Sequence, residues 1–263
     1  LVMEMGENLT KSAQAAKRAS TKEWKKLVAE YQQPHVGRAV WQIVNTLVPI
    51  AAIWVSVYFL KDISLWLTIP PALLGGLFLV RAFIIFHDCG HGSFFKSKRA
   101  NTAVGFITGM LTFTPYRQWS WEHARHHATN GDLDRRGIGD IWTLTVEEYV
   151  TSSRKLQLSY RFIRNPIILF VFGPLVLFII LQRFPNAKAK TREKRSVYIM
   201  NATLVGWCVG MSMIYGFLPW LVIQLTMMSI ASLFGLWLFY VQHQFEDTYW
   251  AGSDEWDYTT AAM

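Results

Sequence analysis

Charge is scarce in this sequence: 17% of its 263 residues are Asp, Glu, Lys or Arg, against about a quarter in soluble domains. That deficit, with 52% hydrophobic residues gathered into long runs, excludes an ordinary water-soluble domain. Cysteine is scarcer still. Cys89 and Cys208 are the only two, which excludes a disulfide framework, and both read as reduced thiols. The opening residues lack the apolar core and small-residue cleavage site of a secretory signal peptide. A basic domain is also missing, although the net charge is +8. The lysines and arginines flank apolar runs instead, which excludes nucleic acid and favours an anionic bilayer surface.

Four apolar runs are long enough to cross about 30 Å of hydrocarbon: Ala39–Leu60, Ile63–Phe86, Val197–Phe217 and Leu221–Val241. Only Lys61 and Asp62 separate the first two, so they form a hairpin, and the last two form another. The second run is long enough despite Pro70, Pro71 and Arg81, and Arg81 is expected to snorkel toward its C-terminal end. Ala103–Thr114 is short and carries glycines, and Pro166–Leu181 carries proline at its start. Both read as re-entrant or interfacial segments. With this topology 24 of the 26 basic residues fall on one side, leaving Arg81 within a span and Lys61 opposite. The positive-inside rule makes that side cytoplasmic. The expected fold is therefore an all-α integral membrane protein of four transmembrane helices, with a cytoplasmic histidine-rich cap.

Residues 1–38 read as a cytoplasmic segment with one amphipathic helix. Ser20 to Glu23 has the spacing of a capping box, followed by an apolar stripe at Trp24, Leu27, Val28 and Tyr31. A second capping box runs from Thr145 to Glu148, opening a polar helix.

Histidine carries the chemistry. His87 and His91 are four residues apart, and His123, His126 and His127 follow at spacings of three and four. Each group occupies one face of a helix, so its imidazoles can converge on a metal ion. Neutral imidazole suits iron, zinc, copper and nickel. Five of the seven histidines fall into these two groups. A sixth, His243, follows the last span as His87 follows the second, and so belongs at the same depth. His35 belongs to no group and reads as structural.

The strings H-D-C-G-H-G-S-F-F at 87–95 and W-x-x-x-H-x-x-H-H-A-T-N at 119–130 resemble the first two histidine boxes of membrane acyl-lipid fatty acid desaturases of bacteria. The resemblance extends through Gly139–Trp142 and the segment Val241–Asp247, and covers residues 39–263 as one desaturase domain. It implies a centre of two iron ions held by His87, His91, His123, His126, His127 and His243, with O2 as co-substrate. It implies insertion of a cis double bond into fatty acyl chains of membrane lipids. The bacterial plasma membrane is the implied location, with the site facing the cytoplasm. A soluble electron donor, ferredoxin or flavodoxin, is implied as well, since no His-Pro-Gly-Gly haem motif occurs here.

Two alternatives stay open: a related histidine-box hydroxylase acting on alkanes, sterols or carotenoids, and a non-catalytic membrane metal-binding protein. The family's third box, H-x-x-H-H, does not occur in these residues. The domain therefore reads as C-terminally incomplete, and 263 residues alone are expected to hold fewer than two irons and form no product. Asp88, Asp132, Asp134, Asp140, Glu246 and Asp247 lie near the boxes, where some would orient the histidines. Solvated acids, or partners for Arg135 and Arg136, are equally consistent with them. Trp119, Trp121 and Trp142 are assigned no role.

Overall fold

The helix that ends in the first histidine box, α2 (Ile69–His91), is the axis of the molecule. The structure, a computed structural model, describes residues 26, 28, 29 and 32–262. Helix α1 (Val36–Leu60) precedes it, joined by a short 3-10 turn at Leu65–Thr68. Prolines 70 and 71 occupy the first turn of α2. There the missing N–H groups would have no helical partner anyway. The helix also runs five residues beyond Phe86, carrying the whole box, and ends where Gly92 takes the left-handed conformation (φ 72°).

Helices α3 (Lys98–Leu111) and α4 (Tyr116–Thr129) follow, then the short α5 (Val146–Thr151) and α6 (Arg154–Ile163). The capping box at the start of α5 is formed: Glu148 N–H donates to Thr145 Oγ1 at 3.1 Å, and Thr145 N–H to the Glu148 carboxylate at 2.8 Å. A π-helical turn at Ile168–Phe172 leads into α7 (Gly173–Ile179). Two long helices, α8 (Thr191–Tyr215) and α9 (Phe217–His243), turn at Gly216, and a single turn, α10 (Tyr258–Ala262), ends the described chain. No strand occurs among the described residues, only an isolated bridge between Asp132 and Ala251.

Four helices have the length and hydropathy to cross a bilayer: Val36–Leu60, Leu65–His91, Thr191–Tyr215 and Phe217–His243. Their shared core joins Trp54 and Val57 of α1, Leu79 of α2, Tyr215 of α8 and Met227 of α9. Helix α2 is the most enclosed of the four. Its Gly75 and Gly76 let α9 approach closely: a Cβ on Gly76 would stand 2.5 Å from the Ile230 Cβ. Outward-facing residues such as Trp41, Val48, Phe59, Val205 and Met213 are exposed and apolar, as a lipid-facing surface requires. This is an all-α integral membrane protein.

The run Pro166–Leu181 is broken. Helix α6 and the segment Ile168–Arg183 meet at a 63° bend. The histidines decide its course. His243 at the end of α9 lies against His126 of α4, so α9 ends on the histidine side and α8, antiparallel to it, begins there. The chain between α4 and α8 thus starts and finishes on one side, and the broken run does not cross once between them. The Arg81 charge is met within the hairpin, where its guanidinium donates to Asn45 Oδ1 at 2.6 Å and more distantly to Thr46. The stripe of Trp24, Leu27 and Tyr31 and its capping box lie outside the described residues.

Candidate metal centre

Two helices supply four histidines to one point. His87 and His91 stand a turn apart on α2, their Nε2 atoms 3.2 Å apart. His123 and His127 stand a turn apart on α4, their Nε2 atoms 3.1 Å apart. The helices approach so that His91 and His123 Nε2 also lie 3.1 Å from each other. One nitrogen from each of the four falls within 4.8 Å of every other. Nitrogens sharing one metal ion at about 2.1 Å, at right angles, would stand about 3 Å apart. The four imidazoles therefore fit a common cation.

The approach of α4 depends on fine packing. Tyr116 fills the space left by Gly105, where a Cβ would fall 2.2 Å from its ring. The Tyr116 hydroxyl donates to the Cys89 carbonyl at 2.6 Å, tying α4 to the box on α2. Trp119 stacks on His123, ring centroids 4.3 Å apart, and packs against Phe83 and Phe86. Sequence reading assigned Trp119 no role. The structure makes it the apolar wall that fixes the His123 ring.

His126, read from its spacing as sharing one face with His123 and His127, points elsewhere. Helical spacing puts it 100° from His127, and it is buried against α9, with Nε2 2.9 Å from His243 Nε2. Its Nδ1 lies in a short contact with the Asp140 carboxylate, which is itself bound by Gly137 N–H at 2.8 Å. His243 Nδ1 lies 2.9 Å from the Phe239 carbonyl. A carboxylate and a carbonyl only accept, so each Nδ1 carries the proton and each Nε2 presents a bare lone pair. Two lone pairs facing each other across 2.9 Å repel unless a cation lies between or beside them. The donor set fits a second metal ion, and its outer partners are of the kind that orient metal-binding imidazoles. The centroids of His123 and His126 are 6.0 Å apart, so the pair adjoins the four-histidine group.

The nearby acids divide. Asp140 orients His126, and Asp88 Oδ1 lies 3.0 Å from His87 Nδ1. Asp132 is instead a structural hub. Fully buried, it receives Arg135 Nε at 2.5 Å, two backbone N–H groups and the Ser253 hydroxyl. Burial alone would raise its pKa, but the hydrogen bonds from Arg135 and Ser253 outweigh it and hold the carboxyl below its ordinary value. Asp134 accepts from Ser253 N–H at 2.7 Å. No bond joins Glu246 or Asp247 to a histidine among the described residues. Trp142 packs against Tyr160, and Trp121 lies under Arg125.

Sequence reading missed the clamp over this loop. Residues 249–257 fold back onto 130–135: Ala251 N–H donates to the Gly131 carbonyl, and Leu133 N–H to the Ala251 carbonyl, each at 3.0 Å. Trp256 Nε1 donates to the Asn130 carbonyl at 2.9 Å, and Arg135 lies over its ring. One signal was present. Gly131, inside the clamped loop, has φ 77°, and a Cβ there would stand 2.7 Å from the Tyr249 carbonyl oxygen.

Burial holds the site in its ligand form. Desolvation, followed by the charges of neighbouring histidines, pushes His123 down to about 2 and His127 down to about 4. Both rings are neutral at pH 7, with lone pairs free to bind metal. Glu122, beside them, is raised by burial against the opposing hydrogen bond from Asn186.

Comparison with known proteins agrees with this geometry. The family model described as "Fatty acid desaturase" matches residues 64–263. A Bacillus subtilis protein named fatty acid desaturase is 43% identical over 242 residues, covering 92% of this chain and 69% of that protein. An Arabidopsis thaliana Delta(12)-fatty-acid desaturase is 26% identical, covering 72% of the chain and 52% of that protein. A Synechocystis sn-1 acyl-lipid omega-3 desaturase (ferredoxin) is 25% identical, covering 73% and 54%. The chain thus spans about two thirds of the first relative and about half of the other two. By helical architecture, convergent histidines and sequence, this chain belongs to the fatty acid desaturase family.

Proposed function

We propose that this protein is an O2-dependent di-iron desaturase acting on fatty acyl chains of membrane lipids. The observation that carries the reading is the division of six histidines into a convergent four and an adjoining pair whose bare Nε2 atoms face each other. Removing hydrogen from an unactivated methylene needs an oxidant stronger than any side chain. Iron with O2 supplies it when bound.

The chain's own residues set the conditions for that chemistry. His87, His91, His123 and His127 hold one ion, and His126 and His243 contribute to the second. Asp140 and the Phe239 carbonyl keep the protons on Nδ1. Trp119 and Phe239 stack on His123 and His243 and exclude water from one face of each ring. Forming one double bond releases two hydrogens, and reducing O2 to two waters consumes two further electrons, so a separate donor is required. A relative's name specifies ferredoxin; here ferredoxin or flavodoxin would meet the basic histidine side. We read that side as the cytoplasmic face of a bacterial plasma membrane; the four-span topology assigns 24 of the 26 basic residues to it, which supports the sidedness.

Expression in a bacterium making only saturated acyl chains, with whatever the gene encodes on either side of these residues, tests the reading. New cis-unsaturated acyl chains in membrane lipids, lost in His126→Ala, are expected. Hydroxylated products would favour the hydroxylase alternative. Single cysteines at Lys96, Arg136 and Lys190 are expected to label from the cytoplasm, and one at Lys61 from outside. External labelling at Lys190 would overturn the sidedness.

A further inference from the structure

Away from the histidines, a groove of about 520 Å³ opens between α3, α4 and the first turns of α8. It is lined by the apolar Phe106, Tyr116 and Ile199 and by three arginines, Arg117, Arg192 and Arg195. These arginines have no carboxylate or hydrogen-bond partner among the described residues. Like charges drawn together with no counter-charge repel, which is a cost unless an anion sits among them.

Three further features specify the anion. Helix α8 has no side-chain cap on its N-terminus, so the N–H groups of its first turn add to the positive field of the arginines. The only acid in that turn, Glu193, falls on another face of the helix by its spacing from Arg192 and Arg195. Finally, α8 enters the bilayer here: its basic first turn gives way at Val197 to the apolar span, and Tyr198, Ile199 and Ile107 are exposed beside the groove. A ligand must place a negative group among the arginines and hydrocarbon over Phe106 and Ile199. That combination describes a phospholipid better than it describes a free anion.

We infer that this groove is a binding site for an anionic phospholipid, its phosphate held by Arg117, Arg192 and Arg195. The site is separate from the metal centre. Tyr116, buried and bonded to the Cys89 carbonyl, stands between the groove and the histidine-bearing turn of α2. A lipid held here joins α4 to α8, and so secures the N-terminal end of the helix that carries the second histidine box.

The test is native mass spectrometry of the chain purified in neutral detergent, with phosphatidylglycerol, phosphatidylcholine or inorganic phosphate added in turn. The wild type is expected to retain phosphatidylglycerol in preference to phosphatidylcholine. Replacing all three arginines by Ala should weaken that retention roughly a hundredfold. Three lysines should restore much of it, and Arg154→Ala with Arg161→Ala should leave it unchanged. Should the triple variant fail to fold, photoactivatable phosphatidylglycerol must label residues 102–117 and 191–199 of the wild type. Equal retention by the triple variant, labelling confined to other regions, or binding of phosphate with no lipid preference would each overturn the inference.

Discussion

The two groups of histidines are built in opposite ways. The four-histidine group uses the cheapest geometry a helix offers, an i, i+4 pair, twice, and needs only that α2 and α4 lie side by side. The His126–His243 pair joins residues 117 positions apart, and its buried member, His126, is fixed by Asp140, a partner outside the helical repeat. The first group is partly open, with His91 and His127 exposed, whereas His126 is 2% exposed. Local spacing can thus assemble a metal site at an open surface, while a buried site must have its proton positions set by tertiary contacts.

The largest effect should come from breaking the open group at its centre. His123 contacts both His91 and His127, so His123→Ala should abolish acyl desaturation, measured as unsaturated methyl esters from expressing cells. Retained product would remove the four-histidine group from the mechanism. A smaller effect is expected at the buried pair. Asp140→Asn keeps the shape but frees His126 to protonate Nε2, and loss of such an orienting group costs about 10- to 100-fold in metal affinity or activity. Rates unchanged in Asp140→Asn would show that the proton position is not fixed by this contact.

Acidity sharpens the comparison. In the unfolded chain His123 and His127 take up protons near their ordinary value of 6.5, but the folded, metal-free chain resists until about 2 and about 4. Protons then bind the unfolded state preferentially, so stability present above pH 6.5 is lost as pH falls toward 4. The thermal midpoint of metal-free protein should drop across that window, and His127→Gln should flatten the drop. A midpoint that rises on acidification would contradict the crowding of His123 and His127 among neighbouring imidazoles.

The smallest effect is expected outside both groups. His35 accepts from Arg38 N–H at 3.2 Å and caps α1, so His35→Ala should cost about 1 kcal/mol of stability and leave activity and metal content intact. A loss of metal there would place a seventh histidine in the site.

The same contrast explains what the sequence made legible. The four spans, the two hairpins and the i, i+4 pairs His87/His91 and His123/His127 follow from hydropathy and helical period, which are local, but the same spacing also placed His126 with His123 and His127, from which the fold separates it. The pairing of His126 with His243 was foreshadowed only as a shared depth. Asp140 could not be separated from Asp132 by position, because both follow the same box. Only the fold shows that one meets an imidazole and the other meets Arg135 and Ser253. The clamp of residues 249–257 has no periodic signal, since it works through backbone hydrogen bonds that any sequence can make.

The central claim is that six histidines form two distinct metal sites, and a metal titration tests it most directly. Purified apo-chain titrated with ferrous iron or cobalt, followed by ligand-field absorption and metal counting, should show one tightly held ion and a second, weak site filled only in part, as four and two histidine ligands require. His91→Ala should remove the tight phase and His126→Ala only the weak one. A single phase, lost equally in both variants, would contradict the division.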